Sequence, residues 1–401
     1  MDLPTLQNVY IPGKIFLVRT GFDVPLDDEG NIVDDSRIKI SVPTIKYLLE
    51  HDAKQVIVIT HVGRPKEDEA KLQTDRLSQR LAELLGVKVR KLDGFGQAGI
   101  PSPDKARVIM LENLRFNPSE KSKDVKERDV FGKQLASLAD VYVNDSFSTC
   151  HRDHASMTSI PKFMPGCMGL SVEQEVSTIQ SAMESPERPF VSIIGGVKAD
   201  KLNAVANLLD RVDKILVAGA LAFTLLQKFG KEVGKSKTDS EGLEDFKELL
   251  PQIENNHKIE LPVDAVLADR FDADAESKIA KIDQIDAGWM ALDLGPETIK
   301  NFKIIIGEAK TIIWNGPIGV FEFDRFAQGT REIAKALADA KERGATVIVG
   351  GGDSGAAVEK LGLKDRMTLV SSGGGASLAL FEGKELVALN ALKGSADSQD
   401  S

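Results

Sequence analysis

Short apolar segments of strand length alternate along the chain with longer segments that have apolar residues at helical spacing. The short segments are IFLVR (15–19), QVIVITH (55–61), RVIMLEN (107–113), DVYVND (140–145), FVSIIGG (190–196), KILVAG (214–219), AVLAD (265–269), TIIWNG (311–316) and TVIVGGG (346–352). The helical segments include VPTIKYLLEHD, DRLSQRLAELLG, DKLNAVANLLDRV and TREIAKALADAKERG. This alternation predicts an α/β fold in which parallel β-sheets are flanked by helices.

The length of 401 residues exceeds the size at which a single hydrophobic core stops growing, so we expect two Rossmann-like domains. The polar helical segment SVEQEVSTIQSAMES is followed by PERP, which is typical of a connection between domains. We therefore predict an N-terminal domain over 1–171, a hinge helix over 172–185 and a C-terminal domain over 186–380. The polar tail GSADSQDS is expected to be disordered.

Composition narrows the class of protein. Cys150 and Cys167 are the only cysteines, which is too few for a secreted disulfide scaffold and indicates a reducing compartment. The first residues show no signal peptide, and no run of about 18 apolar residues occurs. A net charge of -10 argues against general nucleic-acid binding. We expect a soluble cytoplasmic protein that binds neither a membrane nor nucleic acid.

Glycine clusters follow the apolar segments of the C-terminal half. They are GG (195–196), AGA (218–220), NGPIG (315–319), GGGDSG (350–355) and SSGGG (371–375). Ligands bind at the carboxyl ends of parallel strands, and glycine lets the backbone approach a phosphate closely. The clusters predict a nucleotide site in this half of the chain.

Two glycine motifs allow other interpretations. Gly350, Gly352 and Gly355 satisfy the G-x-G-x-x-G pattern of a dinucleotide-binding dehydrogenase, but no acidic residue ends the next apolar segment, which runs into SSGGG. The segment GKEVGKS (230–236) resembles a P-loop, yet its glycines are too close together and no strong apolar strand immediately precedes it. Both patterns are weaker than the glycine clusters taken together.

Basic residues of the N-terminal half fall at or just beyond the predicted strand ends, or in loops. They are Arg19, Arg37, His61, Arg64, Arg115, His151 and Arg152. Arginine is favoured where a phosphate or carboxylate is bound by two hydrogen bonds, so the set predicts an anion-binding face. His151 and His154 could form a metal pair, but no further cysteine or histidine cluster completes a zinc site.

Longer strings resemble the phosphoglycerate kinase family and occur in the family order. They are HVGRPK, ENLRFNP, ADVYVNDSFSTCHRDHAS, PVDAVLADRFDADA, GWMALDLGPETI, IIWNGPIGVFEF, VGGGDSGAAVEKLG and SSGGGASLALFEGKELVAL, and the match runs from residue 10 to 393. The resemblance implies a monomer that transfers a phosphoryl group reversibly from 1,3-bisphosphoglycerate to ADP, giving 3-phosphoglycerate and ATP, with Mg²⁺. It also implies that the segment 381–401 returns to the N-terminal domain.

The resemblance implies a role for each matching residue. Phosphoglycerate would be bound in the N-terminal domain by Gly21, Phe22, Asp23, Arg37, His61, Arg64, Arg115, His151 and Arg152. The nucleotide would be bound in the C-terminal domain by Gly196, Lys201, Gly219 at the adenine pocket, Pro317, Glu322 at the ribose, and the phosphate turn Gly351, Gly352, Asp353 and Ser354. Arg37, Lys198 and Lys201 would act in catalysis, and Asp353 would bind Mg²⁺.

Two positions depart from the family pattern. Gly21 stands where the pattern R-V-D-F-N-x-P has a carboxylate that orients the glycerate. The loop after the strand at 190–196 is one residue shorter between Lys198 and Lys201 than the pattern G-G-A-K-V-x-D-K. We expect Lys201 to keep the family position and Lys198 to be displaced. These departures leave open an alternative, a catalytically weakened homologue that still binds nucleotide or phosphoglycerate.

Overall fold

The chain divides into two compact units in a computed structural model that describes residues 3–66, 69–96, 99, 105–254 and 256–396. The N-terminal unit comprises Met1–Ser177 and Glu385–Ser401, and the C-terminal unit comprises Thr178–Lys384. Of the described residues, no helix combines the length and the apolar character needed to cross a membrane.

The N-terminal unit is built on a six-stranded parallel sheet. Its strands are β1 (Ile15–Thr20), β2 (Gln55–Ile59), β3 (Val89–Lys91), β4 (Val108–Met110), β5 (Val141–Asp145) and β6 (Gly166–Met168). They are ordered β3-β4-β2-β1-β5-β6. Strands β2 and β5 are buried along their whole length, as expected for parallel strands covered on both faces. The helices are α1 (Ser36–Glu50), α2 (Asp75–Leu85), α3 (Val125–Ala136) and α4 (Leu170–Glu184), and the boundary between the units lies inside α4.

The C-terminal unit contains a second six-stranded parallel sheet and a small antiparallel sheet. Its strands are β7 (Phe190–Ile194), β8 (Lys214–Val217), β9 (Ile259–Glu260), β10 (Asp264–Ala268), β11 (Ser277–Lys281), β12 (Met290–Leu294), β13 (Thr311–Asn315), β14 (Thr346–Gly350) and β15 (Leu369–Val370). The parallel sheet has the order β15-β14-β13-β7-β8-β9. The α/β fold with two parallel sheets and flanking helices is thus confirmed.

The helices of the C-terminal unit alternate with the strands of its parallel sheet. They are α5 (Leu202–Leu208), α6 (Gly219–Lys228), α7 (Leu250–Glu254), α8 (Pro296–Glu308), α9 (Gln328–Glu342), α10 (Gly352–Lys360) and α11 (Gly375–Phe381). A last helix, α12 (Val387–Ala396), belongs to the N-terminal unit. The core of the C-terminal unit surrounds Trp314 on β13, and the core of the N-terminal unit includes Phe16 on β1.

Two expectations are wrong in detail. The segment AVLAD was expected in a parallel sheet, but β10 is the central strand of the antiparallel sheet β11-β10-β12, because a short loop and not a helix connects β10 to β11. The tail GSADSQDS was expected to be disordered, but residues 394–396 complete α12, where Ser395 Oγ accepts a hydrogen bond from the Gly166 N–H at 3.1 Å. Residues 397–401 lie outside the described residues.

Candidate functional site

The topology of each parallel sheet places a ligand crevice at a defined pair of strands. In the N-terminal unit, the chain first adds strands on one side of β1 and then continues on the other side with β5. In the C-terminal unit, the same reversal occurs between β7 and β13. Ligands of open α/β sheets bind beyond the carboxyl ends of the strands at such a switch point. The expected phosphoglycerate residues follow β1, β2, β4 and β5, and the glycine clusters 195–196 and 315–319 end β7 and β13.

His61 is held between a buried arginine and an aspartate. The fully buried Arg19 donates from Nη2 to Nδ1 of His61 at 2.8 Å, and from Nε to Ser156 Oγ at 2.9 Å. Since guanidinium nitrogens only donate, Nδ1 accepts and the ring hydrogen lies on Nε2. That nitrogen is 3.6 Å from Asp23 Oδ2. The pair of neighbours therefore fixes both the tautomer and the orientation of the ring.

The charges at this point follow from burial and hydrogen bonding. Burial and the charge of Arg19 lower the pKa of His61 to about 3. Burial acts to raise the pKa of Asp23, but the hydrogen bond with His61, the Gly63 N–H at 2.8 Å and the charge of Arg115 outweigh it and lower the pKa to about 2. At neutral pH His61 is therefore neutral and Asp23 is an anion.

Arg115 supplies a permanent positive charge beside Asp23. Its Nη1 donates to the carbonyl of Gly63 and lies 4.0 Å from Asp23 Oδ2. Burial lowers the pKa of Arg115, although the guanidinium stays protonated at physiological pH. Its Nε is buried and has no hydrogen-bond partner within the part of the chain that the structure describes. A buried donor without a partner is costly, so this N–H is suited to an anionic ligand.

The other expected phosphoglycerate residues make no hydrogen bonds or ion pairs with one another within the described chain. Arg64 and Arg152 are exposed, and Arg37 is half-buried in the first turn of α1. His151 has a buried Nδ1 with no partner among the residues described, and burial together with the charge of Arg152 lowers its pKa. Phe22 is fully buried, and its backbone groups are bonded within the protein: its N–H donates to Thr60 Oγ1 at 3.1 Å, and its carbonyl accepts from the Val24 N–H at 2.8 Å. Gly21 begins the same loop.

Sequence reasoning missed the support behind these residues. Arg19 was expected to bind an anion, but its guanidinium is used entirely inside the protein. Glu120, 1% exposed, accepts hydrogen bonds from the Ser156 N–H at 3.0 Å and Ser156 Oγ at 2.6 Å, and burial raises its pKa. The contacts join residues far apart in the chain, so no local pattern could have indicated them.

In the C-terminal unit, backbone hydrogen bonds join the loops that follow β7 and β13. The Gly195 N–H donates to the Asn315 carbonyl at 2.8 Å, and the Gly196 N–H donates to the Pro317 carbonyl at 2.9 Å. Gly219, at a φ of 61°, begins α6 against these loops, and a Cβ there would lie 2.7 Å from the Gly196 nitrogen. Only glycine allows this close approach of three backbone segments.

Lys201 and Lys198 have different surroundings. Lys201 Nζ donates to Asn315 Oδ1 at 2.5 Å, and burial lowers the pKa of Lys201 although the charges of Asp200 and Asp353 oppose this. Lys198 precedes the 3-10 turn Ala199–Lys201, is exposed, and makes no side-chain hydrogen bond or ion pair in the described ranges. The Lys201 side chain therefore reaches the end of β13, whereas Lys198 lies in the shortened loop.

Asn315 is the residue of this site that sequence reasoning did not single out. Its side chain is 4% exposed, and Nδ2 has no hydrogen-bond partner in the portion of the chain described. It pairs in register with Gly350, directly before the expected phosphate turn. In the sequence, Asn315 begins the NGPIG cluster, and only the glycines of that cluster predict a nucleotide site.

The expected phosphate turn caps α10. Gly351 has a φ of 92° and precedes the helix, whose first N–H groups can bind an anion. Ser354 is fully buried and accepts a hydrogen bond from the Gly316 N–H at 2.8 Å, whereas Gly352 and Asp353 are exposed.

No group of three or more metal-ligating side chains occurs among the described residues. A single exposed carboxylate beside a phosphate site fits Mg²⁺, which is commonly held by one carboxylate and substrate phosphates. Glu322 is exposed, and its carboxylate has no hydrogen-bond or ion-pair partner in the described chain.

Arginines and histidines at the strand ends of one parallel-sheet unit, and glycine-rich strand ends in the other, are the features expected of an α/β phosphotransferase. The family model of phosphoglycerate kinase matches residues 6–384. The chain therefore belongs to the phosphoglycerate kinase family, whose enzymes are phosphotransferases with a carboxyl group as acceptor.

Related proteins extend over the whole chain. The phosphoglycerate kinase of Nostoc punctiforme is 46% identical over 398 residues, which cover 98% of both chains. That of Chloroflexus aurantiacus is 43% identical over 402 residues, covering 98% of this chain and 99% of the relative. The solved structure of the enzyme from Coxiella burnetii has a TM-score of 0.87 at 34% identity, covering 98% of this chain and 100% of that one. The structure from Pyrococcus horikoshii has a TM-score of 0.82 at 31% identity, with the same coverage.

Proposed function

We propose that the chain transfers a phosphoryl group reversibly from 1,3-bisphosphoglycerate to ADP, forming 3-phosphoglycerate and ATP. Full-length similarity to named phosphoglycerate kinases supports the reaction. Among the residues, the proposal rests on the hydrogen bond between Lys201 and Asn315 at the end of β13. This strand pairs with β14, which leads into the phosphate turn. We further propose that the enzyme is a cytoplasmic monomer, in keeping with a role in glycolysis.

The N-terminal residues bind the acid substrate by charge and orientation. Arg115, Arg64 and Arg152 provide the positive charge, because arginine binds carboxylates and phosphates with two parallel hydrogen bonds. Neutral His61 and ionised Asp23 fix the loop after β1 and keep Arg115 in place. Arg37, in the first turn of α1, stabilises the charge on the transferred group.

The C-terminal residues bind the nucleotide. Gly219 and Pro317 form the adenine side, Glu322 binds the ribose, and the turn 351–354 binds the phosphates at the start of α10. Lys201 neutralises phosphate charge as it develops. Mg²⁺ would be held by Asp353 and the nucleotide, and when bound it supplies charge stabilisation on the phosphate oxygens. The segment 172–185 serves as the hinge that lets donor and acceptor approach while water is excluded.

The test is turnover in both directions with purified full-length chain. ATP formation from enzymatically generated 1,3-bisphosphoglycerate and ADP, and ATP-dependent acylphosphate formation from 3-phosphoglycerate, are both expected to require Mg²⁺. Binding of both ligands without turnover would instead support a weakened, binding-only homologue. That alternative is not favoured, because the matches run over nearly the full chain and Lys201 lies at the strand ends.

A further inference from the structure

The loops that follow β1 and β5 meet side by side at the switch point of the N-terminal sheet. Thr20 pairs in register with Asp145, so Gly21 and Ser146 are the next residues of adjacent parallel strands. A Cβ built on Gly21 would lie 3.2 Å from Ser146 Oγ and 3.4 Å from Ser148 Oγ. The space that a side chain at position 21 would enter is therefore bordered by two hydroxyl groups.

The two hydroxyls differ in what they are free to bind. Ser146 is 1% exposed and its Oγ lies 3.0 Å from Thr149 Oγ1, so it belongs to the buried network that includes Arg19 at 3.5 Å. Ser148 is half-buried in the 3-10 turn Phe147–Thr149. Its hydroxyl makes no hydrogen bond to any residue that the structure describes. Ser148 is thus the open donor and acceptor at this strand end.

The charges around this space favour a neutral group. Asp23, two residues after Gly21, is an anion with a pKa of about 2, and the ligand that the arginines attract is itself an anion. A second carboxylate at position 21 could only accept a hydrogen bond and would add negative charge. A serine hydroxyl can donate and accept, and adds no charge. The site therefore offers arginines for the charged ends of a small acid and a hydroxyl for its uncharged polar group.

We propose that Ser148 binds the C2 hydroxyl of 3-phosphoglycerate in the space that Gly21 leaves open, and so takes over the orienting role of the carboxylate that the family pattern has at position 21. The proposal rests on the proposed function. It makes Ser148 a specificity-determining residue, because a site built around a substrate hydroxyl rejects an analogue without it.

The experiment compares 3-phosphoglycerate with 3-phosphonooxypropanoate, which lacks the C2 hydroxyl. Dissociation constants are measured by calorimetry on the full-length chain and on Ser148→Ala, Ser148→Thr and the exposed control Ser137→Ala. Ser148→Ala is expected to weaken 3-phosphoglycerate binding about two- to tenfold and leave the analogue unchanged. Ser148→Thr, which keeps a hydroxyl, and Ser137→Ala are expected to keep the discrimination of the unchanged chain.

Two outcomes would overturn the proposal. One is an unchanged affinity of Ser148→Ala for 3-phosphoglycerate, and the other is equal weakening of both ligands. Ser148→Gly serves as a second truncation if Ser148→Ala does not fold, as judged by its thermal unfolding. Turnover of the unchanged chain with ATP and 3-phosphoglycerate distinguishes failure of the proposed function from failure of this inference. If turnover is absent, the proposed function fails. If turnover is present while Ser148→Ala discriminates normally, only the inference about Ser148 fails.

Discussion

Removing the buried His154 is expected to make the N-terminal unit less sensitive to acid. His154 is 9% exposed, and its Nδ1 lies 3.7 Å from Glu120 Oε1. Burial and the charges of Arg19 and Arg115 lower the pKa of His154 from 6.5 to about 3. The variant His154→Gln keeps a polar side chain but cannot take up a proton.

The direction and size of this effect on the free energy of unfolding follow from proton linkage. A histidine whose pKa is lowered on folding stays neutral in the native protein while the unfolded chain takes up a proton, so stability falls as the pH drops from 6.5 to about 3. Each pH unit in this window costs about 1.4 kcal/mol. At about pH 5, His154 therefore reduces the free energy of unfolding by about 2 kcal/mol relative to neutral pH.

The assay is urea denaturation followed by circular dichroism at several pH values between neutral and mildly acidic. Both tryptophans, Trp289 and Trp314, lie in the C-terminal unit, so selective tryptophan fluorescence gives an internal control. The pH slope of the N-terminal transition should fall by about one proton in His154→Gln, while the tryptophan transition keeps its slope. Part of the remaining slope is expected from His61, which also has a pKa of about 3. An unaltered slope of the N-terminal transition would refute the assignment of a neutral, buried His154.

Three further variants test the two ligand sites. Arg64→Ala should weaken 3-phosphoglycerate binding by about 1.5 to 3 kcal/mol with unchanged ADP affinity, because a charge-assisted bond is lost; equal affinity in calorimetry would remove Arg64 from the site. Asp353→Ala should lower ADP affinity in the presence of Mg²⁺ but not without it, and a titration unaffected by Mg²⁺ would place the metal elsewhere. Insertion of valine after Lys198 should raise turnover at constant ADP affinity; reduced turnover would show that the short loop is already adapted to catalysis.

Strands that are continuous apolar runs could be predicted from the sequence, and strands with exposed polar residues could not. Strands such as β2 and β13 are continuous apolar runs that only a covered parallel sheet explains. The strands β3 and β11 carry exposed or half-buried residues, among them Arg90 and Lys278, and lack that signal. The end of α12 was missed because residues 394–396 are small or polar, and their helical state depends on contacts with β6, more than two hundred residues away in the chain.

Residue type could indicate which side chains lie at the strand ends, but not which partners each one has there. Arg19 and Arg115 have the same chemistry and both follow or end an apolar segment. The Arg19 side chain is buried, and His61 and Ser156 accept hydrogen bonds from its guanidinium. Arg115 instead keeps one N–H donor without a partner in the described chain. The difference is decided by burial and by partners from distant segments, which no local spacing contains.

The positive charge of the N-terminal site comes from arginine and not from histidine, and this has a physical reason. His61 and His154 both stay neutral at physiological pH and well below it, since burial and neighbouring arginines lower each pKa to about 3. A protonated imidazole beside Arg19 and Arg115 would add repulsion without a new anion to balance it. Neutral His61 instead receives the hydrogen bond from Arg19 and directs its Nε2 to Asp23, which lies beside Arg115. We therefore expect the protonation of a phosphate ligand, and not that of His61 or His154, to govern how binding at this face varies with pH.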